Sequence, residues 1–151
     1  MSTAPRRVIA GLGADGRSRV VAEDATPAPA PGGMAITVIA TGAIGRTSNS
    51  LPLAPGFADF SMSQLTDEVY SMMFATYPPG LGQDDPGMHF TYTADHFYVI
   101  EGECVLVLEA GEAVLRAGDV GICRGVMHGW RNDTDKPCRL VTFVLPAQPV
   151  G

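Results

Sequence analysis

The chain has 151 residues, of which 46% are hydrophobic and 17% charged. This composition suits one packed domain and excludes both intrinsic disorder and two independent cores. Acidic residues outnumber basic ones by 16 to 10, which gives a formal net charge of −6. Because the sequence contains no basic patch or run, we expect neither a nucleic-acid partner nor an anionic membrane partner.

Cysteine usage and the absence of a targeting segment predict a cytoplasmic protein. Cys104, Cys123 and Cys138 are widely spaced and odd in number, which fits neither a disulfide framework nor a zinc site. We therefore expect small buried side chains in a reducing compartment. The N-terminus lacks the apolar segment of a signal peptide, and the longest apolar run, residues 34–40, is too short to span a bilayer.

The beginning of the chain predicts an N-terminal extension, residues 1–33, made of a hairpin and a linker. Residues 8–10 and 19–22 flank a turn-rich stretch in which Asp15-Gly16 is a hairpin signal. The segment 26–33, TPAPAPGG, indicates a stiff, extended linker.

The segment Gly11–Gly16 also matches the G-x-G-x-x-G pattern of dinucleotide-binding turns. That function needs a helix directly after the turn, whose N–H groups meet the pyrophosphate, and a crossover to a second parallel strand. The residues that follow, 17–21, indicate turn and strand instead. We therefore interpret this segment as part of the hairpin.

Residues 34–151 are predicted to form a single β domain. Met34–Thr41 is rich in β-branched residues and predicts a strand, whereas Gly42–Ser63 is irregular and is expected to wrap the domain or cover a pocket mouth. Ser63–Met73 is the one stretch that fits a short helix. Further along, short apolar runs separated by turn signals indicate an antiparallel all-β sandwich or barrel. These runs are 69–77, 88–93, 97–100, 104–108, 113–115, 120–123, 127–131 and 139–145.

Three histidines, His89, His96 and His128, carry the functional argument. Side chains two residues apart share a face of a strand. This alternation directs His89, Thr91 and Thr93 one way, and it places Asp95 and Phe97 together on one face of the next strand. It places His96 on the opposite face of that strand, and it gives His128 the same direction as Trp130.

Residues 88–144 resemble the cupins, whose two motifs are G-x5-H-x-H-x(3,4)-E-x6-G and G-x5-P-x-G-x2-H-x3-N. The first motif corresponds here to His89, Thr91, Asp95 and Gly102, and the second to Gly118, Cys123, Gly125, His128 and Asn132. The spacing agrees at every anchor except for one missing residue after Gly118. The stretch from Glu101 to Arg139 is especially similar to small single-domain bacterial cupins.

The resemblance implies a double-stranded β-helix, the jelly-roll barrel of the cupins, behind the N-terminal hairpin and linker. It also implies a homodimer that forms through strand exchange or sheet edges. The apolar segment Val38–Ala40 would suit that role, since unpaired edge strands need cover.

Metal-binding cupins supply three histidines and a glutamate, but here Thr91 replaces the second histidine and Asp95 replaces the glutamate. The resemblance then leaves His89, Asp95 and His128 as metal ligands. Two imidazoles and a carboxylate suit Fe(II), and also Zn, Ni or Mn, with open positions for water and substrate. Two alternatives stay open: a metal-free pocket in which the same three residues do acid–base work or bind a ligand, and a vestigial site. A bulge at Ala94-Asp95 would add His96 to the site.

Further residues are expected to contact a bound molecule. Trp130 is expected either to stack on a planar substrate or to fill the core, and Arg124 either to hold a substrate carboxylate or to be a solvated loop arginine. The residues predicted to bind substrate are Thr91, Thr93, Phe97, Arg124 and Trp130.

Two function classes follow from this site. The first is an enzyme on a small carbonyl- or hydroxyl-bearing molecule, a lyase, dehydratase, isomerase or dioxygenase, with a divalent metal or a metal-free acid–base site. The second is a non-catalytic cupin that binds a small ligand.

Overall fold

The computed structural model describes residues 6–12, 14, 18–25, 33–45, 54–66 and 68–148. These residues form ten β-strands and one short turn of 3-10 helix, Met62–Gln64. The strands are β1 Arg6–Leu12, β2 Ser18–Ala25, β3 Ala35–Ala43, β4 Val69–Tyr77, β5 Thr93–Glu101, β6 Glu103–Leu108, β7 Gly111–Arg116, β8 Val120–Arg124, β9 His128–Arg131 and β10 Cys138–Pro146.

The strands pair antiparallel in three sheets. β1 and β2 form a separate two-stranded sheet, while β3-β4-β10-β5-β8 and β7-β6-β9 form sheets of five and three strands. The larger two are joined by short turns, as between β5 and β6 at Gly102, whose φ of 79° lies in the left-handed region that favours glycine. The predicted all-β jelly roll, a double-stranded β-helix, is confirmed.

The core follows from period-two alternation along the strands. In β4, Ser71, Met73, Ala75 and Tyr77 are buried, and the residues between them are half-buried. The larger buried cluster includes Val99, Leu140 and the cysteines Cys104, Cys123 and Cys138, which carry no disulfide. A smaller cluster consists of Val38, Met73 and Val144. Burying each aliphatic side chain of this kind stabilises a fold by about 1.5–3 kcal/mol.

Two predicted elements are wrong. Ser63–Met73 is not a helix, because its second half belongs to β4 and pairs with both β3 and β10; tertiary pairing decides here over local propensity. The run 88–93 is not a strand before Thr93: in that segment only His89 makes a bridge, to His128.

The predicted hairpin is confirmed, since β1 pairs with β2 from Arg6↔Ala25 to Leu12↔Ser18. Most of its turn and the linker residues 26–32 lie outside the described residues, so the boundary between residues 1–33 and 34–151 stays a prediction. Within the described ranges, no helix has the length and apolar character that crossing a membrane requires.

Candidate functional site

His89 and His128 face each other across an isolated bridge. The backbone N–H of each residue donates to the carbonyl oxygen of the other, at 2.8 and 2.9 Å. Their ring centroids lie 4.5 Å apart with an interplanar angle of 51°. His128 is buried and opens β9, whereas His89 is half-buried and lies in the segment before β5. The predicted convergence of the two imidazoles is therefore present in the fold.

Backbone carbonyls fix the tautomer of both rings. Nδ1 of His89 lies 2.7 Å from the carbonyl oxygen of Gly87, and Nδ1 of His128 lies 2.9 Å from that of Val126. A carbonyl oxygen only accepts hydrogen bonds, so Nδ1 carries the proton in each neutral ring. Each Nε2 then presents a lone pair, and neither Nε2 is hydrogen-bonded within the described part of the chain.

Asp95 lies beside the two histidines at the end of a chain of hydroxyl groups. Thr93 donates its hydroxyl hydrogen to Oδ1 of Asp95 at 2.7 Å, and the hydroxyl groups of Thr91 and Thr93 lie 2.5 Å apart. Burial raises the pKa of Asp95, although the Thr93 hydrogen bond and the nearby histidines act in the opposite direction. The carboxyl group therefore holds a proton more readily than an exposed aspartate does.

The environment of His128 favours its neutral form. Burial lowers the pKa of His128 and the neighbouring His89 lowers it further, against opposing effects of the Val126 carbonyl and Asp95. An uncharged imidazole with a free Nε2 is the form that accepts a proton. His128 is therefore ready to act as a base at neutral pH.

The three residues border one cavity of about 560 Å³, a size suited to a small organic molecule. Phe97 and Trp130, both predicted to bind substrate, form part of its wall, with their rings 5.1 Å apart and edge to face. The cavity is lined by Met34, Ile36, Ala58, Phe60, Met62, Leu65, Met73, Ala75, Tyr77, Leu81, Gly82, Asp85, Pro86, Gly87, His89, Thr91, Asp95, Phe97, His128, Trp130, Thr142 and Val144.

Two contributions to this cavity involve residues outside the predicted site. Tyr77 lines it and packs against Trp130 at 5.2 Å. Burial raises the pKa of Tyr77 well above its ordinary value, and Cys104, Cys138 and Asp95 raise it further, so the phenol keeps its proton. Its position at the end of β4 gave no signal in the sequence. The irregular segment 42–63 also contributes Ala58, Phe60 and Met62 to the lining, which agrees with the pocket-covering alternative for this described part of the segment.

Three predicted or alternative site residues do not reach the cavity. Arg124 is exposed and absent from the lining, because its neighbour Cys123 takes the inward position opposite Asp95. Thr93 is buried behind Asp95 and acts on it rather than on a bound molecule. His96 pairs regularly with Ile122, without a bulge, and faces away from the cavity.

The predicted metal set is not assembled in this structure. Among the described residues, no group of three His, Cys, Asp or Glu side chains is placed so that it could hold a metal ion. Asp95 is one methylene shorter than glutamate, and Thr93 already binds one of its oxygens. The two imidazoles alone keep the free Nε2 atoms that a metal would use.

Asn132 has a structural role. It is fully buried, and its Nδ2 donates to the carbonyl oxygens of Tyr77 and Lys136, each at 2.9 Å. Its Oδ1 accepts hydrogen bonds from the backbone N–H and the hydroxyl of Thr134. Asn132 thus ties the turn after β9 to the end of β4 and holds Tyr77 beside the cavity.

Comparison with known proteins agrees with this geometry. The cupin domain family matches residues 73–144, the range that includes both histidines, Asp95 and Trp130. Residues 73–144 are a cupin domain. The two motifs that suggested the resemblance lie within it.

The chain is similar to proteins of biosynthesis clusters and to proteins described as oxidoreductases. A phomopsin biosynthesis cluster protein of Diaporthe leptostromiformis is 32% identical over 122 residues, covering 70% of this chain and 65% of the relative. An oryzines biosynthesis cluster protein of Aspergillus oryzae is 39% identical over 117 residues, covering 69% and 63%. A protein of Neurospora crassa described as a cupin-domain-containing oxidoreductase is 50% identical over 54 residues, covering 34% and 28%. The chain thus spans less than two thirds of the length of these relatives.

Solved cupin structures are also similar. A cupin 2 conserved barrel domain protein from Salinispora arenicola has a TM-score of 0.46 at 22% identity, covering 52% of this chain and 64% of that one. A double-stranded β-helix protein from Klebsiella pneumoniae has a TM-score of 0.46 at 25% identity, covering 56% and 73%.

Proposed function

We propose that the cupin cavity is the active site of an enzyme that moves a proton on a small carbonyl- or hydroxyl-bearing molecule. The observation that carries this proposal is the pair of histidines whose Nδ1 atoms are held by backbone carbonyls, with both Nε2 atoms free beside a buried carboxyl group. Two neighbouring imidazoles with oriented rings and free Nε2 atoms are typical of acid–base sites rather than of core packing.

His128 is the base in this proposal. Its Nε2 takes a proton from a carbon next to the substrate carbonyl, and the bond electrons pass into the enolate. Return of that proton to another carbon completes an isomerisation. Delivery of the proton to a departing hydroxyl group completes a dehydration and releases water. Both routes balance without an oxidant or a metal.

Neighbouring groups assist this transfer. Asp95 favours the imidazolium that forms on His128. Burial lowers the pKa of this histidine, and the attraction of the Asp95 carboxylate opposes that effect. Tyr77 keeps its phenolic proton at neutral pH and offers it as a hydrogen-bond donor to a developing enolate oxygen. His89 offers a second free Nε2, and its ring centroid lies 4.5 Å from that of His128.

The descriptions of similar proteins support an enzyme. Two matching proteins, from Neurospora crassa and Hypocrea virens, are described as cupin-domain-containing oxidoreductases, and others belong to fungal biosynthesis clusters. These descriptions agree with catalysis on a small organic molecule, while the reaction proposed here rests on the geometry of the cavity.

Deuterium exchange tests the proposal without knowledge of the natural substrate. Phenylacetone has acidic hydrogens next to its carbonyl, and the protein in D₂O is expected to speed their exchange, followed by proton NMR. His128→Gln should lower the catalysed rate by about 10²-fold or more, the usual contribution of a general base.

His96→Gln is the matched control, because His96 lies on the same strand as Asp95 but faces away from the cavity. It should leave the exchange rate unchanged. Binding of phenylacetone with equal exchange in the wild type and in His128→Gln would contradict the proposal and favour a non-catalytic ligand-binding cupin. Stoichiometric Fe, Zn, Ni or Mn that is lost in His128→Gln would instead favour the metal-dependent alternative.

A further inference from the structure

The cavity contains carboxyl groups but no permanent cation among the described residues. Its described ionisable lining residues are Tyr77, Asp85, His89, Asp95 and His128, without an arginine or lysine. A bound anion would therefore meet two carboxyl groups and neither a guanidinium nor an ammonium group in this part of the wall.

The basic side chains of the described β5–β10 region lie outside the cavity. Arg116 pairs with Glu103 at 2.8 Å, Arg131 binds Glu112 and Asp133, and Arg139 pairs with Glu101 at 3.4 Å. Arg124 and Lys136 are exposed and outside the lining. Arg116, Arg131 and Arg139 would each have to leave an ion pair before they could approach the cavity.

Most of the remaining wall is apolar. Three methionines, Met34, Met62 and Met73, contribute flexible side chains that adapt to irregular shapes. Trp130 packs tilted against Tyr77 and edge to face against Phe97. Flat faces of this kind suit an aromatic or conjugated ring system.

We propose that this cavity selects an uncharged, largely apolar molecule with a planar ring and one carbonyl group, and that it discriminates against carboxylates. This inference rests on the proposed function and names the substrate class of the same site. The ring packs against the aromatic and methionine side chains, and the carbonyl oxygen accepts a hydrogen bond at the polar side of the cavity.

The physical reason is the desolvation of charge. A carboxylate that enters a mostly apolar cavity loses its hydration, and no arginine or lysine of the described lining replaces it.

Two ligands of matched size test the selection: acetophenone and benzoate. Trp130 is the single tryptophan of the chain and lies in the cavity wall, so its fluorescence reports occupancy, and isothermal titration calorimetry checks each Kd. At neutral pH we expect acetophenone to bind at least about tenfold more tightly than benzoate, in line with the cost of burying an unpaired charge.

Asp95→Asn separates charge from shape. This variant removes the negative charge and keeps an oxygen that accepts the Thr93 hydroxyl hydrogen, so it should raise the ratio of benzoate affinity to acetophenone affinity several-fold. Binding of benzoate as tight as that of acetophenone to the wild type would overturn the inference, as would failure of acetophenone to bind. Because this test measures binding alone, it can fail while phenylacetone exchange succeeds, and the reverse also holds.

Discussion

At the scale of single residues, the carboxyl group of Asp95 is held under unfavourable conditions for its charge. Thr93 donates a hydrogen bond to it, and the histidines lower its pKa, yet burial outweighs both effects. A buried carboxyl group with a raised pKa lowers the stability of the folded protein when it is charged, and such groups are common at functional sites.

Replacing Asp95 by asparagine is expected to stabilise the protein at neutral pH. The folded pKa of Asp95 lies above its ordinary value of 3.8, so between those two values the folded state binds more protons than the unfolded state. Wild-type stability then falls as pH rises through this window. The difference in unfolding midpoint between Asp95→Asn and wild type should grow from pH 3.8 upward, as measured by circular dichroism. A difference independent of pH would show that the charge of Asp95 is not the cause.

Thr93→Val tests the hydroxyl that supports Asp95. The variant loses the 2.7 Å hydrogen bond, so the pKa of Asp95 should rise further and the fold should lose about 1–2 kcal/mol at neutral pH. Thr91→Val is the control, because the Thr91 hydroxyl contacts Thr93 and no bond joins it to Asp95 among the described residues. Carbon-detected NMR of the side-chain carboxyl carbon measures the pKa. An equal shift in both variants would contradict the role assigned to Thr93.

At the scale of elements, the turn after β9 depends on one buried side chain. Asn132→Ala removes the Nδ2 donor from the carbonyl oxygens of Tyr77 and Lys136, of which the Lys136 oxygen keeps the Thr134 hydroxyl. We expect a loss of about 2–4 kcal/mol in the free energy of unfolding. The neighbouring exposed Asp135 offers a control, and Asp135→Ala should change stability by less than about 0.5 kcal/mol. Urea denaturation measures both values. Equal stability of the two variants would refute the structural role of Asn132.

The packing of β5 against β8 makes a second prediction at this scale. A Cβ atom at Gly121 would overlap the ring of Phe97, so Gly121→Ala should displace that ring from the cavity wall and destabilise the protein by about 1–3 kcal/mol. The emission of Trp130, which packs against Phe97, should change in the folded variant. Unchanged emission together with wild-type stability would show that β8 tolerates the larger residue.

The elements also show how far sequence reasoning reaches. β4 was predicted at its observed bounds, and the runs for β6 to β10 agree within a few residues, because alternating burial and turn residues are local signals. The direction of Asp95 and Phe97 followed from the same alternation. Tyr77 and the cover from Ala58 to Leu65 depend on contacts between distant segments, which alternation does not report.

At the scale of the whole molecule, the predicted homodimer has not been tested and stays a prediction. The segment Val38–Ala40 was the edge proposed for dimer contacts. Val38 is only 2% exposed, and its N–H and carbonyl groups bind the backbone of Phe57. Residues near Phe57 therefore already cover part of the segment Val38–Ala40. Sedimentation analysis of the full chain would decide the oligomeric state.

The central claim is that His128, His89 and Asp95 share one cavity and influence the same proton. NMR titration of the His128 imidazole tests this most directly, since each neighbour should change its pKa in a stated direction. We predict that the pKa of His128 lies below its ordinary value of 6.5, rises in His89→Gln, falls in Asp95→Asn and is unchanged in His96→Gln. A His128 pKa that is indifferent to His89 and Asp95 would contradict the account.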